Sequence, residues 1–445
     1  MTGPGEGGLV RREHINLNDH VGVRLDRPLE VAVVGAGARG SGYARLVAAQ
    51  PHARIVAVAE PRPVRRERFA TRHRLPADRV FSCWQEMLER PRLADLVIVA
   101  TQDADHHACA VACAEHGYDM LLEKPMATSE QECVAIAEAA CRTGVTVVVC
   151  HVMRYSPYTR RLVELLESGV VGDIVGVEHL EPVGFWHFAH SYVRGNWRRE
   201  NESTFVLLAK SCHDIDWLGY LVGRPVRRVS SFGALVHFRP ENRPPEAADR
   251  CLDCVLEPGC PYSAPRLYRA GLQRDGTVRL LLEAVTDERT EEALYRALAE
   301  GPYGRCVYAC DNDVCDHQVV NLEYAGGITA TFSLTAFSPV ENRRTRIHGS
   351  RGQITGDGRY LEVFDFRSER TTVIDTVPPG GLPPGEHAGG DAGLVEATVE
   401  ALHAGRPDLV LSGVEASLDS HRVVFAAERA RRRGTVEHLV PTAVR

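Results

Sequence analysis

Short apolar runs alternate with amphipathic stretches over the first 150 residues, and the texture then changes. The run Leu29-Glu30-Val31-Ala32-Val33-Val34 is dense in β-branched residues and reads as a buried strand. Short apolar strands recur at residues 54–60, 96–101, 120–123 and 145–150, separated by helical stretches. Strands and helices in alternation predict right-handed βαβ crossovers and a mostly parallel sheet. After one more helix at 158–168 the pattern turns to hairpins. Alternating runs at 318–324 and 328–337 flank Gly326-Gly327, a second pair at 345–348 and 353–355 surrounds Gly349 and Gly352, and strands follow near 360–366 and 371–376. Helices at 394–403 and 414–433 close the chain around a Gly405-Arg406-Pro407 break. The expected organisation is an arm at 1–29, a parallel α/β domain at 30–150, and an α+β domain at 151–434 with a largely antiparallel open-faced sheet. Residues 239–315, rich in Pro, Cys and charge, read as an insertion with a helical middle at 291–300, and there is no internal repeat.

Composition narrows the function. With 445 residues and 44% hydrophobic content the chain can bury two cores. A net charge of −7 gives no cationic field for nucleic acid, so a small polar substrate is expected instead. No apolar run approaches the roughly 18 residues that span a bilayer, and the first 20 residues lack the apolar centre of an export signal. The expectation is a cytoplasmic protein with no membrane partner. Six cysteines (Cys83, Cys109, Cys113, Cys133, Cys141 and Cys150) fall in regular segments without paired spacing, as reduced thiols acting as small hydrophobes do.

Gly35-Ala36-Gly37-Ala38-Arg39-Gly40 directly follows a strand and opens a helix, the context that gives G-x-G-x-x-G its meaning. Gly35 suits a tight turn, Gly37 lets a pyrophosphate approach the backbone, and Gly40 permits close packing. The free N–H groups and positive dipole of the helix start then face the anion. Glu60, at the end of the second predicted strand, is placed to bind ribose hydroxyls, which favours NAD. Arg39 and Arg62 lie close enough in sequence to meet a 2′-phosphate, so NADP stays open. Thr101 ends a strand at the carboxyl edge, where ligands bind in open α/β sheets. These features describe a Rossmann domain.

Further along come Thr101 with His106, Glu123-Lys124-Pro125, Arg154-Tyr155-x-Pro157 and His213-x-x-Asp216. Together with the glycine fingerprint they resemble the glucose-fructose oxidoreductase, inositol dehydrogenase and MocA-like dehydrogenases, from Leu29 to about Gly434. The resemblance implies that Lys124 sits beside the nicotinamide and that His213 handles the substrate proton. It also places Thr101, His106, Glu123 and Lys124 at the cofactor. The chemistry agrees: oxidising a secondary alcohol needs a proton acceptor, which histidine suits, and a cation to steady the developing alkoxide. One departure stands out. Many relatives carry Asp four residues before the histidine, and here position 209 is Ala. Lys210, Asp214 and Asp216 are the nearest ionisable groups. Asp216, at i+3 from His213, is expected to orient the imidazole, and Lys124 is an alternative proton acceptor.

Arg154, Tyr155, Lys210 and Asp214 are expected at the substrate. Trp186, His187, His190, Trp197 and Arg198 crowd the segment 185–199, which is too polar for core, and aromatic rings among hydrogen-bonding groups suit a sugar, amino-sugar or cyclitol. A solvent-covering loop or subunit contact is the other reading of that segment. The expected activity is an NAD-dependent sugar or cyclitol dehydrogenase. An NAD-recycling lyase or glycosidase and a non-catalytic sensor are the alternatives, and a homodimer or homotetramer through the second sheet is expected. Cys251-x-x-Cys254-x₅-Cys260, with Cys310 or Cys306 as fourth ligand, predicts a structural zinc that staples an insertion too poor in apolar residues for its own core. His317 and Cys315 are less suited as ligands.

Overall fold

The computed structural model describes residues 24–273, 277–383, 385 and 387–440. Most of the arm expected at 1–29 lies outside them. The first sheet grows as the apolar runs predict. β1 (Leu29–Val34) leads through the glycine turn to α1 (Ala38–Ala48), followed by β2 (Ala53–Ala59), α2 (Pro63–His73), β3 (Val80–Phe81) and α3 (Trp84–Leu88). Then come β4 (Leu96–Val99), α4 (His106–Glu115), β5 (Asp119–Leu122), α5 (Glu130–Thr143) and β6 (Val147–Val149). All pairs are parallel, in the order β3-β2-β1-β4-β5-β6. The order reverses between β1 and β4, which opens a ligand crevice at the carboxyl edge.

Alternation along each strand feeds two cores. Ala32, Val34, Val97 and Val99 face α4 and α5. Val31, Val33, Val58, Leu96 and Ile98 face α1 and Phe69 of α2. That second face is completed by Leu394, Val395, Val399 and Leu402 of a helix far down the chain, α12 below.

The chain continues through α6 (Pro157–Glu167), β7 (Ile174–Pro182), α7 (Phe185–Phe188), a wide helical turn at Ala189–Arg194, α8 (Val206–Val222) and β8 (Val226–Ala234). After the insertion follow β9 (His317–Tyr324), β10 (Thr329–Thr335), β11 (Arg344–Gly349), β12 (Gly352–Gly356), β13 (Tyr360–Asp365) and β14 (Arg370–Asp375). Helix α12 (Gly390–His403), α13 (Val414–Arg433) and β15 (Glu437–His438) end it. The nine strands run β14-β13-β12-β11-β7-β10-β9-β8-β15. Every pair is antiparallel except β7 with β10. The β9–β10 hairpin turns at Gly326 and Gly327, both at positive φ, as the Gly-Gly pair predicts. Val177, Leu322, Phe332, Ile347 and Leu361 bury one face of the sheet.

Two expectations are corrected. The segment 185–199 reads as too polar for core, yet its middle, Phe188 to Gly195, is buried throughout, because its polar groups meet partners remote in sequence. His190 Nδ1 lies 2.7 Å from Tyr268 Oη, and Arg194 donates to the carbonyls of Arg305 and Tyr262 at 2.7 and 2.8 Å. The insertion also has a core of its own. Its helices α9 (Ala264–Gln273), α10 (Thr277–Val285) and α11 (Glu291–Glu300) gather Cys251, Ala264, Tyr268, Leu282, Leu294, Leu298 and Tyr303 into a separate buried cluster.

Candidate active site

The glycine loop behaves as its steric logic requires. Gly35 has φ +91°, and a Cβ there would lie 2.3 Å from the Ala100 carbonyl oxygen. A Cβ on Gly40 would lie 1.9 Å from the carbonyl oxygen of Gly35, so α1 and the turn touch backbone to backbone. Gly37 differs: the nearest atom to a Cβ there is an Arg65 nitrogen at 3.9 Å, which leaves the backbone open to a ligand. Gly35, Gly37, Glu60, Arg62, Trp84, Thr101, Gln102 and Arg198 line a cavity of about 620 Å³ across the β1–β4 crevice. The loop, the helix start and the volume fit a dinucleotide. Ala38 opens α1 beside the loop. Both oxygens of Glu60 accept backbone N–H groups, from Ala36 at 2.7 Å and Arg62 at 2.9 Å. Each oxygen keeps a second lone pair for a ribose hydroxyl.

Arg39 is not available to a 2′-phosphate. Its Nε donates to Glu123 at 2.7 Å, and its terminal nitrogens reach Asp391 at 3.1 and 2.9 Å. Tyr43 donates to the same Glu123 oxygen at 2.8 Å. Burial alone would raise the Glu123 carboxyl, but Arg39 and Lys124 outweigh it and hold the group below its ordinary range. Glu123 also anchors the next residue, accepting the Lys124 N–H at 2.8 Å.

The Lys124–Pro125 bond is cis. His106, buried at the start of α4, places Nδ1 2.7 Å from the Pro125 carbonyl oxygen. His421 of α13 accepts the Met126 N–H at 3.0 Å through Nε2. So fixed from three sides, Lys124 projects its Nζ 2.8 Å from the Ala209 carbonyl oxygen, one turn before His213 on α8. Lys124 thus reaches from the end of β5 to the turn of α8 that precedes His213, and its charge acts on that imidazole.

His213 has other partners than the sequence suggests. Asp216 does not orient it: that carboxylate takes a bidentate ion pair from Arg154 at 2.7 and 2.6 Å, with His151 at 3.6 Å. Arg343 instead donates to His213 Nε2 at 2.8 Å, ties Asp214 through its Nε, and meets Glu181 at 2.8 Å. Burial pushes the His213 imidazole well below its ordinary value; Asp214 opposes the shift, while Arg343, Lys124 and His387 add to it. With Nε2 accepting, the proton sits on Nδ1, which has no partner among the described residues.

The other expected substrate residues are placed as follows. Arg154 is held by Asp216, and the Tyr155 hydroxyl, 2.9 Å from Ser412 Oγ, also accepts the N–H groups of Leu411 and Ser412. Both are buried braces in the turn ahead of α6, tying it to α8 and to the approach of α13. Asp214 is fully buried between Arg343 and His179. Lys210 pairs with Glu181 at 3.1 Å and keeps partial exposure. Trp197 donates to Asp103 at 2.8 Å, and Arg198 binds Asp311 on the rim of the dinucleotide cavity. The residue missed by the sequence reading is His387, whose ring centroid lies 6.1 Å from that of His213; the only signal was a His-Ala-Gly-Gly-Asp string before an apolar helix.

The zinc expectation finds no support in the structure. Among the described residues no group of three or more His, Cys, Asp or Glu side chains is arranged to hold a metal ion. Cys251 Sγ instead lies 3.5 Å from an Arg194 nitrogen, and Cys310 donates to the Cys306 carbonyl at 3.2 Å. Cys254 and Cys260 are half-buried free thiols. The insertion has an apolar cluster of its own.

Comparisons with known proteins agree with this geometry. Residues 29–151 match an oxidoreductase family with an NAD-binding Rossmann fold, and residues 163–436 match the C-terminal α/β domain of the same family. The YteT protein of Bacillus subtilis, a proposed oxidoreductase, is 27% identical over 72% of this chain and 76% of its own length. The NAD-dependent scyllo-inositol 2-dehydrogenase of the same organism is 27% identical over 48% of this chain and 59% of its own. In structure, an inositol dehydrogenase homologue from Azotobacter vinelandii complexed with NAD+ superposes with a TM-score of 0.67 at 17% identity, covering 94% of this chain and 99% of that one. From glycine loop to final helix, the chain belongs to the glucose-fructose oxidoreductase, inositol dehydrogenase and MocA family of NAD-binding oxidoreductases.

Proposed function

We propose that this oxidoreductase removes hydride from a secondary alcohol of a cyclitol, sugar or amino-sugar and delivers it to NAD. The observation that carries the reading is the reach of Lys124, at the end of β5, to the Ala209 carbonyl one turn before His213 on α8, in a chain whose glycine loop is open at Gly37. Gly35 to Gly40 and Glu60 would hold the cofactor, which when bound accepts the hydride. Lys124 supplies a cation for the developing alkoxide, and the unpartnered His213 Nδ1–H donates to a substrate oxygen. Glu60 supports NAD over NADP, and the engagement of Arg39 removes one of the two arginines that could have met a 2′-phosphate. Lys210 and Glu181, joined at the edge of this region, are candidates for substrate hydroxyl contacts.

We also assign a homo-oligomer through the second sheet, supported by Val175, Phe232, Tyr360 and Val373, which its strands leave exposed. Sedimentation of the full chain tests it. No described helix is long and apolar enough to cross a membrane.

The test of activity is incubation of the full chain with NAD and a panel of inositols, hexoses and amino-sugars. Accumulating NADH supports a net dehydrogenase. Product formed without NADH points to an NAD-recycling lyase or glycosidase, and no conversion of any polyol refutes the reading. In the Lys124→Met variant kcat should fall by about 10² or more while NADH affinity changes little, because the cation acts on the transition state.

A further inference from the structure

The loop that leads from β14 into α12 carries two consecutive non-glycine residues in the left-handed region, His387 at φ 54° and Ala388 at φ 51°. Side chains with a Cβ avoid that region, and such residues persist where the surroundings fix them, commonly beside a functional site. Here the surroundings are identifiable. Gly390 abuts the backbone so closely that a Cβ would lie 2.5 Å from the Val152 carbonyl oxygen. Asp391, in the first turn of α12, lies 3.2 Å from His387 Nδ1 and receives Arg39 on the same carboxylate.

This arrangement gives His387 what His213 lacks. An imidazole that donates Nδ1–H to a carboxylate presents the lone pair of Nε2 outward, the form a general base needs. His387 Nε2 has no hydrogen-bond partner among the described residues, and the side chain is 27% exposed against 4% for His213. His387 also borders a cavity of about 90 Å³ with Asn342, Arg343, His179 and Trp217. The lone pair of His213 Nε2, by contrast, is taken by the Arg343 guanidinium at 2.8 Å, and a protonated His213 would face that cation.

We propose that His387, oriented by Asp391, takes the hydroxyl proton of the substrate, while His213 holds the substrate oxygen through Nδ1–H. This rests on the dehydrogenase reading above. In the step, the substrate O–H bond breaks, an N–H bond forms at His387 Nε2, and the oxygen electron pair becomes the second bond of the product carbonyl as the carbinol hydride leaves to the nicotinamide. The positive charge gained by His387 is balanced by Asp391, whose carboxylate is kept ionised by His387 and Arg39 against the effect of burial. The charged and titratable groups around His387 are Asp391 from α12, His213 from α8, His179 of β7, Tyr158 of α6 and Arg343 ahead of β11 in the shared cavity, and Arg39 of α1 through Asp391. Asp391, held by Arg39, thereby supplies from a different helix the acid that is absent at Ala209.

The full chain is assayed with NAD and myo-inositol, or whichever polyol of the panel it oxidises, as wild type, His387→Gln, Asp391→Asn and His213→Gln. His387→Gln should lower kcat by about 100-fold or more and erase the acidic limb of the kcat–pH profile, with NADH affinity, read by fluorescence, within about threefold of wild type. His213→Gln should keep that limb. Retention of kcat within about threefold, or an unchanged acidic limb, in His387→Gln overturns the proposal. A second readout needs no substrate: diethyl pyrocarbonate, which acylates neutral accessible imidazoles, should label His387 faster than His213 by peptide mass spectrometry, and more slowly in Asp391→Asn. If no polyol reduces NAD, the dehydrogenase reading fails separately. The labelling then decides whether His387 is the available base, and equal rates at the two histidines overturn it.

Discussion

Arg39 and Asp391 stand 352 positions apart in the chain and are joined by hydrogen bonds of 3.1 and 2.9 Å. The pair ties the first turn of the glycine-loop helix to the first turn of α12, and Arg39 meets Glu123 from the same guanidinium. Arg39→Met would leave two largely buried carboxylates without their cation. Breaking a buried pair costs about 3–5 kcal/mol, and the one-third exposure of Arg39 reduces the expected loss to about 2 kcal/mol. Urea unfolding should show that loss. The ratio of NADP to NAD affinity should stay within about threefold, since the arginine is engaged with protein.

The glycines of the loop separate stability from binding. Gly40→Ala drives a methyl into the Gly35 carbonyl oxygen and should destabilise the protein by about 1–3 kcal/mol. Gly37→Ala meets nothing closer than 3.9 Å and should leave the melting temperature nearly unchanged, while weakening NADH binding by about tenfold or more as the methyl occupies the pyrophosphate approach. Thermal melts paired with fluorescence titration distinguish the two.

Arg343 sits between Asp214, Glu181 and His213. Replacing it with Met should cost about 3–5 kcal/mol, because two buried acids then share no guanidinium. Lys210 still reaches Glu181, so a double variant with Glu181→Gln should recover part of the loss in denaturant melts. No recovery would show that Asp214 alone accounts for the cost.

His421 gives a pH prediction. Burial pushes its pKa down to about 4, and both ring nitrogens are occupied in the neutral form, with Nδ1–H donating to the Ser417 carbonyl and Nε2 accepting from Met126. The unfolded chain takes up this proton near pH 6.5 while the native chain refuses it until about pH 4. Its stability contribution is therefore intact above about pH 6.5 and falls as the pH drops through that window. His421→Gln should flatten the decline of unfolding free energy below pH 6 by up to about 1.4 kcal/mol per pH unit. An unchanged slope would mean that this histidine protonates in place.

The parts of this protein legible in its sequence are those whose signals are local. The strand Leu29–Val34 and the glycine loop announce themselves by β-branched density and steric necessity, and the β9–β10 hairpin by its Gly-Gly turn. Strand β7 was not legible, since Gly176, Glu178 and Glu181 interrupt its apolar residues and its pairing partners follow the insertion. Burial of His190 and Arg194 was hidden for the same reason: the groups that satisfy them lie about Tyr262, Tyr268 and Arg305. At the site, Lys124 and His213 were found by motif, but helical spacing misassigned Asp216. Its true partner Arg154 approaches from another element, and no helical rule could indicate it.

One feature of the first sheet bears on how the protein is made. Its strands are all synthesised by Val149, yet one face stays partly bare until Leu394, Val395, Val399 and Leu402 arrive on α12. A ribosome-bound chain that ends anywhere before α12 leaves the side carrying Val31, Val33, Ile98 and Val148 incompletely covered, an adhesive surface in a crowded cell. That face of the nucleotide-binding half is therefore completed only once α12 has been made. A stop codon placed before α12 would thus leave the first domain with one face incompletely covered, although every strand of its sheet had been made.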